Sequence, residues 1–239
     1  MKRAIVTYAA GAHEGLLEVA RPTYEDFARR HGYDFVVGQQ LTDMPPAWNK
    51  IPLLLYALQR YEEVVWFDCD LVVVNPLEDF PPMSPDPGRQ VFHHALVRHF
   101  EDNSEVPNSG VWRVTTECIS LLQKMQELEV FRNHGWWEQA ALLTLMGYTV
   151  PPEGTHFPDT KCHNVVQTRW YMACHFMRLK YNSHPNYRAE KPVIVHCSYP
   201  RMQQRLEVMR SLVRDPHYDY PQYGGLEEED DSGGDEQNK

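Results

Sequence analysis

Residues 64–74 read VVWFDCDLVVV, so two acidic residues, Asp68 and Asp70, lie between two apolar runs. Carboxylates between apolar strands are costly to bury unless a cation or hydrogen bonds compensate their charge. In an extended segment, residues i and i+2 point to the same side of the chain, so both carboxylates can bind one ion. Oxygen ligands favour Mg²⁺ or Mn²⁺. The alternative is a pair of aspartates that caps a loop, because Asp-x-Asp is common by chance.

The residues before this motif indicate a parallel sheet. The predicted elements are, in order, a strand at 4–8, a helix at 14–30, a strand at 33–37, a helix at 51–60 and a strand at 64–67. Because proline lacks a backbone donor, Pro22 is expected to kink or restart the first helix. The order β-α-β-α-β is typical of parallel strands joined by crossover helices. Ligands bind such sheets at the carboxyl ends of the strands, and Asp68 follows directly after one.

The second half of the chain is predicted to mix strands and helices, with no internal repeat. Its predicted elements are strands at 91–97, 110–114 and 193–195 and helices at 115–131, 136–146 and 201–214. Residues 151–192 are rich in Pro, His, Asn, Tyr and Arg and carry little periodicity. A segment of that length is typically functional or poorly ordered.

The composition predicts one large domain with an acidic tail. The chain has 239 residues, of which 42% are hydrophobic. Its net charge is −10, and residues 227–239 carry six of those charges through seven acids and one lysine. We expect this tail to be solvated and disordered. The mildly acidic body disfavours nucleic acid as a partner, since such binding needs a basic face, and a local basic groove is the alternative that would permit it.

Features that bear on the compartment favour the cytoplasm. The apolar run that follows Met1-Lys2-Arg3 is too short for the core of a signal peptide, and no run approaches the length of a membrane span. The five cysteines are an odd number and show no spacing typical of a disulfide framework. A reducing, cytoplasmic location is therefore expected.

Cysteine and histidine pairs late in the chain suggest a structural zinc site as another use of these residues. The pairs are Cys162-His163, Cys174-His175 and His196-Cys197. Zinc sites use ligand pairs separated by a few residues, and these adjacent pairs lack that spacing, so zinc is disfavoured. His93, His94 and His99 lie on or beside a predicted strand, and we expect them to pack or to face solvent.

Four blocks of sequence resemble glycosyltransferases of the GT-A type. WNKIP at 48–52 with VWFDCDLVVVNP at 65–76 resembles the core of that class. The similarity is closest to family 34, the fungal α-galactosyl/mannosyltransferases and plant xylosyltransferases, and more distant to family 8. Three further blocks follow in the expected order and resemble the sugar-pocket, Asp-Gln and late-histidine blocks: PNSGVW at 107–112, WWEQAAL at 136–142 and VHC at 195–197. Glu138 stands where the family usually has Asp.

The resemblance implies an α/β, GT-A fold, which is a Rossmann-like, mixed central sheet flanked by helices. We expect a single domain over residues 1–226, with a nucleotide-binding half to about residue 75 and an acceptor half after it. The resemblance also implies that Asp70 and His196 bind Mn²⁺ or Mg²⁺, with Asp68 on the metal or the ribose. The other implied roles are base stacking by Tyr8, donor binding by Lys50, a sugar pocket shaped by Asn108 and Gly110, a reacting face with Glu138 and Gln139, and diphosphate binding by Arg201.

Structural alternatives stand beside these roles. Tyr8 can be an ordinary packing residue, Lys50 a solvated helix end, and His196 a buried structural histidine. For His196, its position after a predicted strand and the acidic pair favour metal binding.

The implied activity is metal-dependent transfer of a sugar from a nucleoside-diphosphate sugar, a UDP-sugar by resemblance, to an acceptor hydroxyl with retention of configuration. The acceptor is open among a glycan, a lipid, a protein and a modified nucleobase. An inverting enzyme would need a carboxylate base, for which Glu138 is the candidate. Two alternatives are a nucleotidyltransferase, disfavoured because residues 9–14 lack a Gly-rich basic loop, and a noncatalytic sugar-nucleotide-binding protein.

Overall fold

A computed structural model of the protein describes residues 1–83, 92–101, 104–150 and 162–222. The acidic tail, residues 227–239, lies outside the described residues, as does the first part of the segment 151–192.

The first half of the chain forms the predicted parallel arrangement. Its elements are β1 (Arg3–Thr7), α1 (Glu14–His31), β2 (Asp34–Val37), α2 (Lys50–Ala57) and β3 (Glu63–Phe67). Strand β1 pairs in parallel with both β2 and β3, with Ile5 opposite Phe35 on one side and Val65 on the other. The β-α-β-α-β prediction is therefore confirmed.

Helix α1 continues through Pro22 as one element, so the expected restart at this proline is wrong. Pro22 is exposed, and its missing donor removes only one hydrogen bond from an 18-residue helix. The opposite side of α1 is buried in the core through Leu16, Leu17, Ala20, Tyr24, Phe27 and Ala28. Packing of that face stabilises the helix on both sides of the proline.

The second half completes a mixed sheet. Its elements are β4 (Leu71–Val73), β5 (His94–Glu101), β6 (Ser104–Thr115), α3 (Ile119–Gln126), α4 (Trp137–Met146), α5 (Arg169–Met172), β7 (Cys174–Met177), β8 (Ile194–His196) and α6 (Met202–Arg214). The main sheet has the order β2-β1-β3-β6-β5-β7. Strand β6 is antiparallel to β3 and β5, whereas β7 is parallel to β5. The predicted α/β, mixed sheet is confirmed.

Parts of the second half differ from the sequence prediction. Helix α3 ends at Gln126, and a separate 3₁₀ turn at Glu129–Phe131 replaces the last part of the predicted helix. Strand β7 and helix α5 lie inside the segment that was expected to be irregular.

Helices cover both faces of the main sheet. On β1 and β3, alternate residues enter two separate apolar clusters: Ile5 and Val65 pack with α1 and α6, and Val6 and Val64 pack with α2, α3 and α4. This alternation follows from the two-residue period of a strand. None of the helices within the described ranges is long and apolar enough to cross a membrane.

A small second sheet links the middle of the chain to its late part. Strand β4 pairs antiparallel with β8, and Leu71 lies opposite His196. The Cys197 N–H also donates to the carbonyl of Asp70 at 2.8 Å. This ladder places the late histidine beside the acidic motif.

Candidate active site

The acidic motif forms a tight turn after β3 rather than an extended segment. The Asp68 N–H donates to the Gly110 carbonyl on β6 at 2.9 Å. The Tyr24 hydroxyl lies 2.7 Å from the Asp68 carbonyl and 2.9 Å from that of Leu71. These bonds to β6 and α1 hold the turn from both sides. Although the segment is a turn, the carboxylates of Asp68 and Asp70 still lie close enough together to bind one ion.

Asp68, Asp70 and His196 meet at the carboxyl end of β3. Each offers one ligand atom, and these atoms lie within 4.8 Å of one another. His196 Nε2 lies 3.3 Å from Asp70 Oδ1. Among the described residues, this is the one cluster of three or more Asp, Glu, His or Cys side chains whose ligand atoms are close enough together to hold a metal ion.

Each carboxylate of the motif contacts a protein cation through one oxygen. Asp68 Oδ1 accepts from Trp66 Nε1 at 2.6 Å and lies 3.1 Å from Lys50 Nζ. Asp70 Oδ2 lies 3.1 Å from an Arg205 guanidinium nitrogen. Burial opposes ionisation of Asp70, but His196 and Arg205 outweigh it and hold its pKa well below the usual range. Asp70 therefore stays an anion, and its Oδ1 faces His196.

Lys50 is a buried counter-ion, so the solvated helix end considered for it is wrong. Its side chain is 3% exposed. Its Nζ lies 2.5 Å from Glu138 Oε1 and 3.1 Å from Asp68 Oδ1, and it donates to Ser109. Burial disfavours the charge on Lys50, but the Asp68 and Glu138 carboxylates more than offset this and raise its pKa. One lysine thus joins the acidic turn to helix α4.

Glu138 and Gln139 lie in the first turn of helix α4, next to that lysine. Burial raises the pKa of the Glu138 carboxyl, and Lys50 only partly opposes the increase. Gln139 Oε1 accepts from the Ser109 N–H at 2.9 Å. Ser109 Oγ lies 3.2 Å from both Glu138 Oε1 and Gln139 Oε1. Ser109 therefore ties the PNSG segment to the start of α4.

A cavity of about 570 Å³ opens over these groups. The predicted site residues that line it are Tyr8, Lys50, Asp68, Asp70, Asn108, Glu138 and Gln139. His196 lies behind Asp70 and is 5% exposed. Seven of the ten predicted site residues thus line one cavity, and His196 contacts one of them, Asp70, from the protein interior.

Gly110 and Arg201 do not line this cavity. A Cβ on Gly110 would lie 2.7 Å from Cε1 and 2.9 Å from Nδ1 of His196, so the glycine makes room for the histidine ring. Arg201 is exposed at the N-cap of α6 and does not line the cavity in which a diphosphate is expected. The arginine that lines the cavity is Arg205, one helical turn later.

Sequence reasoning missed several cavity residues. Arg205 is recognisable in hindsight from its i+4 spacing to Arg201. Trp136 and Trp137 also line the cavity, and Trp137 has a φ of 41°, a conformation that non-glycine residues rarely adopt. Such backbone strain is often found at functional sites.

The other histidines singled out in the sequence have different positions. His94 and His99 are buried, and their Nε2 atoms lie 2.8 Å from the Trp170 carbonyl and 2.9 Å from the Asn182 carbonyl. Both are therefore packed in the interior, which is one of the two positions expected for them. All five cysteines are free thiols, and four of them are buried.

Comparison with known proteins identifies the fold. No family model and no curated protein matches the sequence. Among solved structures, a glycosyltransferase involved in glycosylation of the major capsid of PBCV-1 matches with a TM-score of 0.64 and 16% identity, over 88% of this chain and 100% of that chain. The glycosyltransferase GlyE of Streptococcus pneumoniae TIGR4 matches with a TM-score of 0.54 and 15% identity, over 89% of this chain and 63% of that chain.

A third similar structure is the galactosyltransferase LgtC, solved in complex with donor and acceptor sugar analogs. It matches with a TM-score of 0.53 and 11% identity, over 87% of this chain and 95% of that chain. At these identities the similarity shows the fold. The chain has the GT-A fold of these glycosyltransferases, and the fold prediction is confirmed.

Proposed function

We propose that the protein is a metal-dependent glycosyltransferase that transfers a sugar from a UDP-sugar to an acceptor hydroxyl. The observation that carries this proposal is the meeting of Asp68, Asp70 and His196 within 4.8 Å, at the carboxyl end of a central strand in a GT-A fold. Ligands bind α/β sheets at that edge. The LgtC structure, which holds donor and acceptor sugar analogs, supports a binding site for both substrates in such a fold.

The residues of the site fit a divalent cation. Two carboxylates and one imidazole form a ligand set suited to Mn²⁺ or Mg²⁺. Among the described residues, three carboxylates and two protein cations, Lys50 and Arg205, line the cavity, so one negative charge remains to be balanced. When bound, the cation would offset the charge that builds on the leaving diphosphate.

The chain's own residues would hold the donor around that position. Tyr8 lines the cavity beyond the end of β1 and offers an aromatic face to the base. Arg205 takes the diphosphate role first expected of Arg201, because it lines the cavity next to Asp70. Asn108 and Gln139 flank Ser109 and provide amide groups for sugar hydroxyls. Trp136 and Trp137 offer apolar faces for the acceptor.

Retention of configuration is favoured by the state of the carboxylates. Inversion needs a carboxylate base that faces the acceptor. Among the described residues that line the cavity, the carboxylates are Asp68, Asp70 and Glu138, and each is paired with Lys50 or Arg205. In the retaining reaction, the bond from the sugar C1 to the diphosphate breaks, and C1 bonds to the acceptor oxygen on the same face. The acceptor proton then passes to the leaving diphosphate oxygen, so no protein base is needed.

A panel of sugar nucleotides tests the proposal. The protein is incubated with Mn²⁺ and each nucleotide, and binding is measured by thermal shift while slow hydrolysis is followed by NMR. We expect one UDP-sugar to raise the melting temperature and to be hydrolysed, with the freed sugar first appearing in the donor's anomeric form. Neither binding nor hydrolysis of any sugar nucleotide would contradict the proposal.

A further inference from the structure

The usefulness of His196 as a metal ligand depends on its tautomer. Its Nε2 can bind a cation only without a proton, and in the neutral ring Nδ1 must then carry one. In the structure, Nε2 faces Asp70 Oδ1 at 3.3 Å, and Nδ1 lies 3.1 Å from Oδ1 of Asn182. Whether Nδ1 keeps a proton when a cation takes Nε2 therefore depends on which end of the Asn182 amide, oxygen or NH₂, faces the ring.

A backbone donor fixes the direction of that amide. The Gly110 N–H donates to Oδ1 of Asn108 at 2.8 Å, and a backbone N–H can only donate. The Asn108 atom at this position must therefore be its oxygen. Asn182 contacts the same oxygen at 2.8 Å, so it must present its NH₂ group there. The oxygen of Asn182 then faces His196 and accepts from Nδ1–H.

We propose that Asn182 is a positioning residue that holds a proton on Nδ1 of His196 and so makes Nε2, the nitrogen beside Asp70, the one that binds a divalent cation. It acts through an amide relay that consists of Gly110, Asn108, Asn182 and His196. The inference rests on the proposed function, because it concerns how the chain prepares His196 for the metal. Residues of this kind, which hydrogen-bond to a metal ligand, commonly tune affinity.

The surroundings of the relay prevent its members from turning. Asn182 is fully buried, its carbonyl accepts from His99 Nε2, and its N–H donates to the Leu179 carbonyl at 3.0 Å. Against the other side of the His196 ring, Gly110 leaves no room even for a methyl group. Ring and amide are therefore packed in one arrangement.

The relay also determines what Asn108 offers to a substrate. Its Oδ1 already accepts two hydrogen bonds, from Gly110 and from Asn182. Because Asn108 lines the cavity, the part of its amide that remains for a ligand is the NH₂ group. The same relay thus prepares an acceptor atom on His196 for the cation and a donor on Asn108 for an oxygen of the donor sugar.

Direct measurement of Mn²⁺ affinity, by titration calorimetry on the full chain, tests the relay. Asn182→Leu keeps similar bulk but offers His196 no acceptor, so Mn²⁺ should bind about 10- to 100-fold more weakly. Asn182→Asp still accepts from Nδ1–H but loses the donor to Asn108, so its Mn²⁺ affinity should lie between those of the leucine variant and the parent. In a His196→Ala protein, adding Asn182→Leu should change the affinity no further, since the relay acts through His196. Asn164→Ala, which removes an amide bonded to the Met146 carbonyl on the other helical layer, is the control.

The outcomes separate the relay from the proposed function. A folded Asn182→Leu protein that binds Mn²⁺ as tightly as the parent would overturn the relay while the proposed function stands. If the leucine variant does not fold, Asn182→Ala is judged by the same criterion. A parent protein that binds no Mn²⁺ would instead overturn the metal-dependent function.

Discussion

Lys50 Nζ lies 2.5 Å from Glu138 Oε1 in the interior of the protein, and the same nitrogen lies 3.1 Å from Asp68 Oδ1. One buried cation therefore compensates two carboxylates that come from different parts of the chain. Removing one partner of a buried ion pair leaves an uncompensated charge, which is more damaging than the absence of the whole pair.

Lys50→Met should lower the free energy of unfolding by about 3 kcal/mol, because Glu138 and Asp68 lose their shared cation. Adding Glu138→Gln should recover part of that loss, since one buried charge is then removed. Urea denaturation of the metal-free protein measures both changes. Lys2 provides the control, because its contact with Asp34 is long and exposed, so Lys2→Met should cost less than about 0.5 kcal/mol. Equal costs for the two lysine variants would show that Lys50 is not a buried counter-ion.

Gly110→Ala should weaken Mn²⁺ binding, because the new Cβ would lie 2.7 Å from the His196 ring and 2.8 Å from Asn108 Oδ1. One of these side chains must move, and either movement disturbs the metal-binding geometry. Titration with Mn²⁺ should show an affinity that is at most about one tenth of the parent's. Gly15→Ala is the matched control, since its Cβ would meet no atom within 4 Å. Unchanged Mn²⁺ affinity in Gly110→Ala would mean that His196 is not the ligand.

Arg205→Ala should weaken donor binding, whereas Arg201→Ala should not. Arg205 lines the cavity beside Asp70, while Arg201 is exposed at the start of α6. Loss of a guanidinium that binds a diphosphate is worth about 1.5–3 kcal/mol, or roughly tenfold or more in the KM of the donor. Steady-state kinetics on the two single variants measures this difference. A larger effect at Arg201 would return the diphosphate role to that residue.

Acid should destabilise the protein through His94. Burial lowers the pKa of His94 to about 4, and its neutral ring accepts from Trp112 Nε1 and donates to the Trp170 carbonyl. Between about pH 6.5 and pH 4, the unfolded chain binds a proton at His94 that the folded chain does not, so stability falls as pH decreases. The loss from this group is up to about 3 kcal/mol.

Urea denaturation at several pH values checks this prediction. His94→Gln should reduce the slope of the stability curve between about pH 6.5 and pH 4, and the rest of the slope should remain because burial also lowers the pKa of His99 to about 4. The same change at the exposed His217 should leave the slope unaltered. A parent-like slope in His94→Gln would assign the acid sensitivity to other groups.

Local patterns predicted the first half of the chain well, because β1, β2 and β3 are short apolar runs bounded by turn residues. Strand β7 was missed because its residues, Cys174 to Met177, show no clear alternation and are ordered by pairing with β5. The residue pattern within one segment cannot predict its pairing with a strand that is distant in sequence. The same reason explains why Pro22 was tolerated, since tertiary packing of α1 outweighs one missing hydrogen bond.

The candidate site was predictable only where a motif marks it. Asp68, Asp70 and His196 were named from the sequence, but the β4–β8 ladder that joins them depends on the whole fold. The burial of Lys50 depends on Glu138 and Ser109, which are distant in sequence. Asn182 carries no sequence signal, because it lies in a segment with little periodicity.

The most direct test is Mn²⁺-dependent turnover of a UDP-sugar by the parent protein and by Asp70→Asn and His196→Ala. Chelator should abolish turnover, and Mn²⁺ should restore it better than Ca²⁺, because the site combines carboxylates with an imidazole. Each variant should remain folded and lose about 100-fold or more in turnover, and the double variant should be little worse, since both changes remove the same ion. Full turnover in chelator, or losses that add fully while Mn²⁺ still binds, would contradict a shared metal site at Asp70 and His196.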